Sequence, residues 1–334
     1  MDGPDKQTLD QDSVINEPTD SGNGGIEILQ HGDVKWLDVS DPSAATFKQL
    51  AADYHLDPLH LEECTQKVQH TEVDRNSDYI FLVLRPPVFD SRSGRVLAEQ
   101  VGIFLGHNYL ITVHEGESAG IENLIRNCIH PNKVTENFAK GSAFLLYIFI
   151  GYMLAGISNM VEQIQADLDD IEDQVFDDVS SDAENISRIR QKIVKMRRII
   201  GPKRLVLHDL ADQIGLFAGQ DMPKYYVNNT KSVNRLWEMV DEAKETVEIY
   251  KDADFTTSTE QTNKTLAVLT LVFTFTIPVT VLGTLYGMNI LLPGSINGRP
   301  WTFWGQYTTL GLAIGLSVIA AVVMYLYLRK KKWL

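Results

Sequence analysis

Two uninterrupted apolar runs lie near the C-terminus of the chain. The first, Leu266–Tyr286, reads LAVLTLVFTFTIPVTVLGTLY and contains no charged residue over 21 positions. As a helix it would extend roughly 32 Å, which matches the hydrocarbon core of a bilayer. The second run, Thr308–Leu328, is equally long and equally free of charge. The pattern predicts two transmembrane helices, 266–286 and 308–328, joined by an outer loop, 287–307; a buried core helix is the alternative for each.

Basic residues flank these runs unequally. Lys264 precedes the first run, whereas the loop contains only Arg299. A basic tail follows the second run and consists of Arg329, Lys330, Lys331 and Lys332. Because cytoplasmic flanks carry the excess of Lys and Arg, both termini are expected in the cytoplasm and the loop outside. The chain is therefore interpreted as a multi-pass protein of the plasma membrane, in contact with the lipid bilayer.

Short runs of β-branched and aromatic residues predict a sheet of at least four strands in the N-terminal half. The predicted strands are Trp36–Val39, Tyr79–Leu84, Val101–Leu105 and Tyr109–Val113. A helix from about Ser43 to Glu63, with Ser43 as its N-cap, is expected between the first two strands. Another helix is expected after Gly116 and toward Cys128. The fold class is α+β, with an N-terminal α/β domain.

Longer helical stretches follow. One is predicted from Lys140 to about Asp178, and another over Ile186–Gln213, where Gly201-Pro202 should kink or interrupt it. From about Thr230 an apolar seam of roughly 3.5-residue spacing continues into the first apolar run. We therefore expect one stem helix from Thr230 to Tyr286. Since so long a helix is not stable alone in water, its partners are expected to be copies of itself.

These patterns divide the chain into four parts. Residues 1–25 are rich in Asp, Gly, Ser and Pro and predict a disordered acidic leader. Residues 26–229 are interpreted as a cytoplasmic α/β and helical domain, and 230–264 as the cytoplasmic part of the stem helix. Residues 265–334 are interpreted as the transmembrane domain.

Charge narrows the range of functions. The net charge is −14, yet residues 265–334 contain no Asp or Glu, so the negative charge belongs to the non-membrane part. Such a field excludes nucleic acid as a partner and favours cations. The cysteines, Cys64 and Cys128, have no CxxC spacing, which is typical of a reduced cytosolic setting. No enzyme motif is present, so no catalytic residue and no organic cofactor are predicted.

Two clusters could bind a metal ion. The first consists of His55, His60, Glu62, Glu63 and His70, but the five-residue spacing of His55 and His60 does not suit a helical site, and surface histidines are favoured. The second is an acidic run, Ala166–Glu184; from Glu162 to Glu184 there are ten carboxylates and no Lys or Arg. Its alternatives are a solvated surface or a weak, hydrated site for Mg²⁺ or Ca²⁺.

One face of the first apolar run combines polar and apolar positions. Steps of three or four residues give Asn263, Leu266, Leu269 or Thr270, Phe273, Ile277, Thr280, Thr284 and Gly287, here called the 263–287 stripe. In a ring of parallel helices this stripe would line a channel with an apolar gate formed by Leu266, Leu269, Phe273 and Ile277, and with polar oxygens at Asn263, Thr280 and Thr284. The alternative is that the threonines join helices to one another.

The residues Tyr286-Gly287-Met288-Asn289 follow the first run directly, and the tail Lys330-Lys331-Lys332-Trp333-Leu334 follows the second. With the preceding long helix, this arrangement resembles the CorA family of magnesium and cobalt channels, marked by a Gly-Met-Asn motif. The resemblance implies a homopentameric funnel in which five copies of the first span surround the pore. Gly287, Met288 and Asn289 would form the selectivity filter, where Asn289 meets a hydrated ion.

The resemblance also implies that Lys330, Lys331 and Lys332 encircle the stem near the inner surface. Cytoplasmic Mg²⁺, held between subunits by carboxylates that cannot be assigned from the sequence, would keep the channel shut. Mg²⁺ would thus be both the transported and the regulatory ion, with Co²⁺ or Ni²⁺ as further substrates.

Two other functions compete with a Mg²⁺-gated channel. One is a transporter for Zn²⁺, Ni²⁺ or Co²⁺, coupled to protons. The 263–287 stripe lacks the His, Cys or carboxylate ligands that these borderline metals prefer. The other is a membrane-anchored scaffold, for which a polar stripe would be unnecessary.

Overall fold

The computed structural model describes residues 17–18, 25–66, 73–90, 95–116, 119–128, 134–176, 183–218, 221–288 and 308–330. Two compact units are distinguished. One contains Met1–Asp173 and Glu184–Ile249, and the other contains Gln174–Ala183 and Tyr250–Leu334. The predicted α/β domain and long helix are both present.

The strands are β1 (Glu17–Pro18), β2 (Gly25–His31), β3 (Val34–Ser40), β4 (Val73–Arg75), β5 (Tyr79–Leu84), β6 (Pro87–Asp90), β7 (Arg95–Ala98), β8 (Val101–Gly106) and β9 (Tyr109–His114). Seven of them form a sheet in the order β1-β2-β3-β9-β8-β5-β4, and β6 pairs with β7. Only β3 and β9 are parallel among these described pairs. The four predicted strands are confirmed. β2 was missed because its polar residues weaken the apolar run, and β1 places Glu17–Pro18, inside the predicted leader, beside β2.

The helices are α1 (Ala44–Tyr54), α2 (Pro58–Thr65), α3 (Ala119–Cys128), α4 (Val134–Ala139), α5 (Ser142–Phe176), α6 (Ala183–Phe217), α7 (Pro223–Gly287) and α8 (Thr308–Lys330). The stem helix therefore begins seven residues before the predicted Thr230. The single helix predicted from Ser43 to Glu63 is wrong. Its chain leaves α1 at His55, whose φ of 54° is left-handed, and re-enters a helix at Pro58, capped by the Asp57 carboxylate.

The central strands are covered on both faces. Every residue of β5 and β8 is buried. Leu50 of α1 and Leu61 of α2 belong to the same cluster as Phe81 and Phe104 on one face of the sheet. On the other face, the Trp36 ring meets Phe149 of α5 edge-on, with 6.2 Å between ring centroids. This burial of continuous apolar strands is the main stabilising contribution of the domain.

Gly201-Pro202 was predicted to kink or interrupt α6. This helix runs unbroken from Ala183 to Phe217 with Pro202 inside it, so the interruption is wrong. Gly201, the residue before the proline, allows Trp237 of α7 to approach α6 closely. A Cβ added at Gly201 would lie 3.3 Å from the Trp237 ring. The guanidinium groups of Arg197 and Arg204 lie 4.7 and 5.0 Å from the Trp237 ring centroid. Cation–π contacts and close packing thus hold α6 and α7 together at this point.

A polar ladder joins the same two helices. Arg190 pairs with Glu248 at 2.8 Å, Arg197 pairs with Asp241, and Arg204 Nε donates to Asn234 at 2.8 Å. Seven residues separate successive rungs on each helix, so one antiparallel register satisfies all three. Near the N-terminal end of α7, the Tyr226 hydroxyl donates to the Ala143 carbonyl of α5 at 2.6 Å. Burial raises the pKa of this hydroxyl well above its ordinary value.

Lys203 is a buried cation in this bundle, with 3% of its surface exposed. Its ammonium donates to the Ile199 carbonyl at 2.8 Å. Burial, and secondarily the nearby Arg85, lowers the pKa of Lys203 to about 7. In the unfolded chain a lysine has a pKa of about 10.4. Between these two values the unfolded chain binds more protons, so this lysine makes stability rise with pH.

Replacing Lys203 by Met should stabilise the protein by about 1–3 kcal/mol near pH 7, because the desolvation cost disappears while the side-chain volume is kept. The gain should vanish above about pH 10, where the wild-type lysine is neutral in both states. Denaturation midpoints of the detergent-solubilised protein at pH 7 and pH 10 measure this difference. Lys244→Met, at an exposed position of α7, is the matched control. A loss of stability at both pH values would contradict the assignment.

Candidate functional site

The 263–287 stripe lies on α7 and is solvent-exposed. Its apolar members have exposed fractions of 54% for Leu266, 46% for Leu269, 56% for Phe273 and 56% for Ile277. Its polar members Asn263, Thr280 and Thr284 are also exposed. A helix that presents large apolar side chains on this scale requires lipid or other protein around it.

A different side of the same helix is partly covered. Thr274 is buried, and Ala267, Leu271, Pro278 and Leu282 are half-buried. At 3.6 residues per turn these positions lie about 130° around the axis from the centre of the 263–287 stripe. On α8, the buried residues are Thr308, Ser317 and Ala321 among the described side chains. The helix thus has a covered side, and the predicted site is not on it.

The threonine hydroxyls of this segment all donate to carbonyls of their own helix. Thr280 Oγ1 donates to the Thr276 carbonyl at 2.8 Å, and Thr284 Oγ1 donates to the Val281 carbonyl at 2.9 Å. Thr270, Thr274 and Thr276 form the same bond with the carbonyl four residues earlier. Because the hydroxyl hydrogen is used inside the helix, the oxygen can offer only its lone pairs to a ligand. The exposed threonines are therefore hydrogen-bond acceptors.

The C-terminal end of α7 contains the start of the Gly-Met-Asn motif. The backbone N–H of Met288 donates to the Thr284 carbonyl at 3.1 Å, which closes the last turn. A Cβ added to Gly287 would meet no described atom within 4 Å. Steric crowding within the described chain therefore does not explain this glycine. Asn289 lies outside the described residues, as do Lys331 and Lys332, whereas Lys330 is exposed in the last turn of α8.

No group of three or more His, Cys, Asp or Glu side chains suited to a metal ion occurs among the described residues. Within the acidic run, Asp167 is paired with Lys192 of α6 at 2.6 Å, while Asp169 and Asp170 are exposed on α5. Part of the run is therefore neutralised by the helix bundle. Asp177, Asp178 and Asp182 lie outside the described residues.

The prediction of surface histidines is wrong for His60, which has 7% of its surface exposed. Its Nδ1 lies 2.8 Å from the Tyr79 hydroxyl and its Nε2 lies 3.1 Å from Asp74. The ring also stacks on Phe81. His60 is thus a core residue that links α2 to the sheet. His55 ends α1, and His70 lies outside the described residues.

Sequence reasoning missed the polar ladder between α6 and α7. Its signal was present as a seven-residue spacing, with Arg190, Arg197 and Arg204 on one helix and Asn234, Asp241 and Glu248 on the other. Only the packing of the two helices shows that these sets face each other.

Two described helices, α5 and α7, are long and apolar enough to cross a membrane. Half of the apolar stretch of α5 is buried, which is typical of a core helix, whereas only 6% of that of α7 is buried. The described apolar stretch of α8, Gly311–Tyr327, is shorter.

Comparison with known proteins gives one family. A family model described as CorA-like Mg²⁺ transporter protein matches residues 31–330. The cobalt/magnesium transport protein CorA of Thermotoga maritima is 23% identical over 301 residues, which cover 90% of this chain and 83% of that protein.

Two solved structures share the fold. The full-length CmaX protein matches with a TM-score of 0.73 at 17% identity, covering 92% of this chain and 94% of that one. The complete CorA magnesium transporter of Methanocaldococcus jannaschii matches with a TM-score of 0.67 at 18% identity, covering 93% and 97% of the two chains.

Proposed function

Because the chain belongs to the CorA-like Mg²⁺ transporter family, we propose that it conducts hydrated Mg²⁺ across the plasma membrane through a pore lined by copies of α7. The observation that carries this proposal is the 263–287 stripe. It is uncharged and exposed, and its polar positions lie at both ends of an apolar segment. A single helix encloses no pathway, so the stripe has a use only when copies face one another. A homopentamer is the assembly that we propose.

The membrane arrangement follows from the apolar helices. The two membrane spans are the α7 segment 266–286 and α8. The first has no charged residue from Leu266 to Tyr286, and the second has none from Thr308 to Leu328. Lys264 precedes the first span, and Arg329 and Lys330 end the second. This excess of basic residues supports cytoplasmic termini and an outer loop. The tail Lys330, Lys331 and Lys332 then lies at the inner surface around the stem.

Ion recognition relies on neutral oxygens. Mg²⁺ releases its water ligands reluctantly, so a conducting site contacts the hydration shell and not the bare ion. Coordinated waters donate hydrogen bonds outward, and Thr280 and Thr284 are suited to accept them because their own hydrogens are used within α7. Gly287, Met288 and Asn289 form the outer filter. Asn289 provides an amide oxygen that binds a hydrated cation without holding it as a carboxylate would.

The apolar positions provide the gate. Leu266, Leu269, Phe273 and Ile277 lie between the polar ends of the stripe and can exclude water when copies of α7 approach closely. Asn263 lies at the cytoplasmic end of this constriction. Regulation by cytoplasmic Mg²⁺ is proposed to use carboxylates from more than one copy, since the described part of one chain contains no complete metal site.

The stripe also separates Mg²⁺ from the borderline metals. Its described positions contain no His, Cys or carboxylate, so a Zn²⁺ or Ni²⁺ transporter is less well supported. Co²⁺ is the second candidate ion, because a relative over 90% of this chain is named a cobalt/magnesium transport protein. A hydrated divalent ion of similar size would make the same outer contacts. The membrane-anchored scaffold does not explain family membership.

Replacing Asn289 by Ala should abolish Mg²⁺ flux into liposomes while the oligomer stays intact, because the filter loses the amide that accepts hydrogen bonds from the hydration shell. Flux is measured with a Mg²⁺-sensitive dye inside the vesicles, and assembly by size-exclusion chromatography. Asn297→Ala, in the same outer loop, is the control. Wild-type flux from the Asn289 variant would exclude this residue from the filter.

Thr280→Val should reduce the Mg²⁺ flux by at least roughly 10-fold, because every copy loses an acceptor and even one lost hydrogen bond to a charged species has an effect of that size. Thr274→Val makes the same isosteric change about 120° around the helix, on its covered side, and should leave the flux unchanged. Equal losses in both variants would show that the hydroxyls serve helix packing and not ion passage.

Millimolar Mg²⁺ should protect the cytoplasmic part from limited proteolysis, because bound ions shift the population toward a closed, more compact assembly. Digestion in EDTA, in Mg²⁺ and in a Na⁺ salt of equal ionic strength separates ion binding from screening. Identical digestion under all three conditions would argue against gating by cytoplasmic Mg²⁺.

A further inference from the structure

The outer surface of α6 contains cations that no described residue of the same chain pairs with. The polar ladder uses Arg190, Arg197 and Arg204, and Lys192 pairs with Asp167. Lys195 and Arg198 are exposed, and neither has an ion pair within the described ranges. Exposed apolar side chains flank them: Val194 is 40% and Leu205 is 71% exposed. This mixed basic and apolar surface is called the α6 outer face.

The outer surface of α7 has the opposite charge in the same unit. Glu238, Glu242 and Glu245 are exposed and point away from the buried seam at Val233, Leu236, Val240 and Val247. None of the three glutamates has an ion pair among the residues that the structure describes. Ile249, 62% exposed, continues this surface. The three carboxylates define the α7 outer face.

We propose that the α6 outer face of one copy docks on the α7 outer face of a second copy of this chain. Three residues separate Lys195 from Arg198, and three separate Glu242 from Glu245. An antiparallel alignment therefore places Lys195 against Glu245 and Arg198 against Glu242 at once. The inference rests on the oligomer of the proposed function, and it specifies which surfaces form the interface.

The polarity of the helices supports this pairing. Copies arranged around one axis keep their α7 helices parallel, and α6 runs antiparallel to α7 within each copy. The α6 of one copy is consequently antiparallel to the α7 of the next, as the alignment requires. Two different faces that fit each other make a heterologous interface, which closes into a ring when the rotation between copies allows it.

The charges serve orientation more than affinity. Exposed ion pairs contribute little each, and they weaken as salt increases. Opposite charges nevertheless exclude wrong registers, in which Lys195 or Arg198 would meet Lys231 or Arg235 of the neighbour. On the same side of α7, the residues that precede the outer face, Lys231 and Arg235, are basic. If α6 of the neighbour slipped toward the N-terminus of α7, its cations would meet these like charges, and this register is therefore disfavoured.

Disulfide crosslinking tests the register. Chains with Arg198→Cys are co-expressed with chains with Glu242→Cys, and membranes are oxidised with copper-phenanthroline. A crosslinked dimer should form in the mixture and in neither single variant. The native thiols do not interfere because Cys64 and Cys128 are buried. In the control, Glu242→Cys is replaced by Lys231→Cys, about 16 Å away along the same face, and this pair should not crosslink.

Charge reversal tests the same contact without cysteines. Lys195→Glu with Arg198→Glu should lower the temperature at which the detergent-solubilised oligomer dissociates, and Glu242→Lys with Glu245→Lys should do the same. Combining the four changes in one chain should restore most of the loss, since the pairs are re-formed with exchanged signs. Additive losses in the combined variant would overturn the proposal.

The outcomes separate this inference from the proposed function. Mg²⁺ flux from an intact oligomer that gives no Arg198–Glu242 crosslink would overturn the interface and leave conduction standing. Specific crosslinking in an oligomer without any divalent-cation flux would support the interface and overturn the proposed conduction.

Discussion

The arrangement of this protein depends on α7, a single helix whose first and last parts differ in the chemistry of their surfaces. Its first part buries a heptad-like seam that includes Val233, Val240 and Val247. Hydrogen bonds and ion pairs link this part to α5 and α6. Its last part, from Leu266, has no charge and exposes most of its apolar side chains. The first part is stabilised by packing within one chain. The second can be stabilised only by lipid and by further protein, which is why the proposed pore requires copies of the chain.

Most basic side chains of α6 described above form ion pairs or hydrogen bonds with the neighbouring helices α5 and α7. α6 supplies arginines to Glu248 and Asp241 of α7 and a lysine to Asp167 of α5. Of these three acids, only Asp167 belongs to the long acidic run of the sequence. The buried Lys203, with its pKa lowered to about 7, is the exception, because no described carboxylate compensates it. The bundle therefore combines well-paired surface charges with one costly buried cation. The acids left exposed on α5 and α7 give the unit its negative field, which favours cations near it.

The proposed membrane segment of α7 contains no charged side chain. Its threonines donate their hydrogens to the helix backbone, and what they expose is an acceptor without charge. Such groups suit a cation that keeps its water shell, since they interact with the shell weakly enough for the ion to leave. The proposed selectivity thus comes from weak, neutral and repeated contacts along one face, and from the difficulty of dehydrating Mg²⁺.

The sequence by itself determined the features that depend on local periodicity and composition. These include the four central strands, the long stem helix, the uncharged runs and the 263–287 stripe. Each could be predicted because the residues that define it are close together in the sequence. The family resemblance also followed from local motifs, above all Gly287-Met288-Asn289, and the family match confirms it.

Only the tertiary structure decided what depends on residues distant in the chain. It placed His60 in the core between Tyr79 and Asp74, showed that α6 continues through Pro202, and set the α6–α7 register through the ladder. These outcomes arise from pairwise contacts across tens of residues. The pattern of residues along one strand or one helix identifies each partner of a contact. It does not show which partners come together in space, and so these contacts could not be predicted from it.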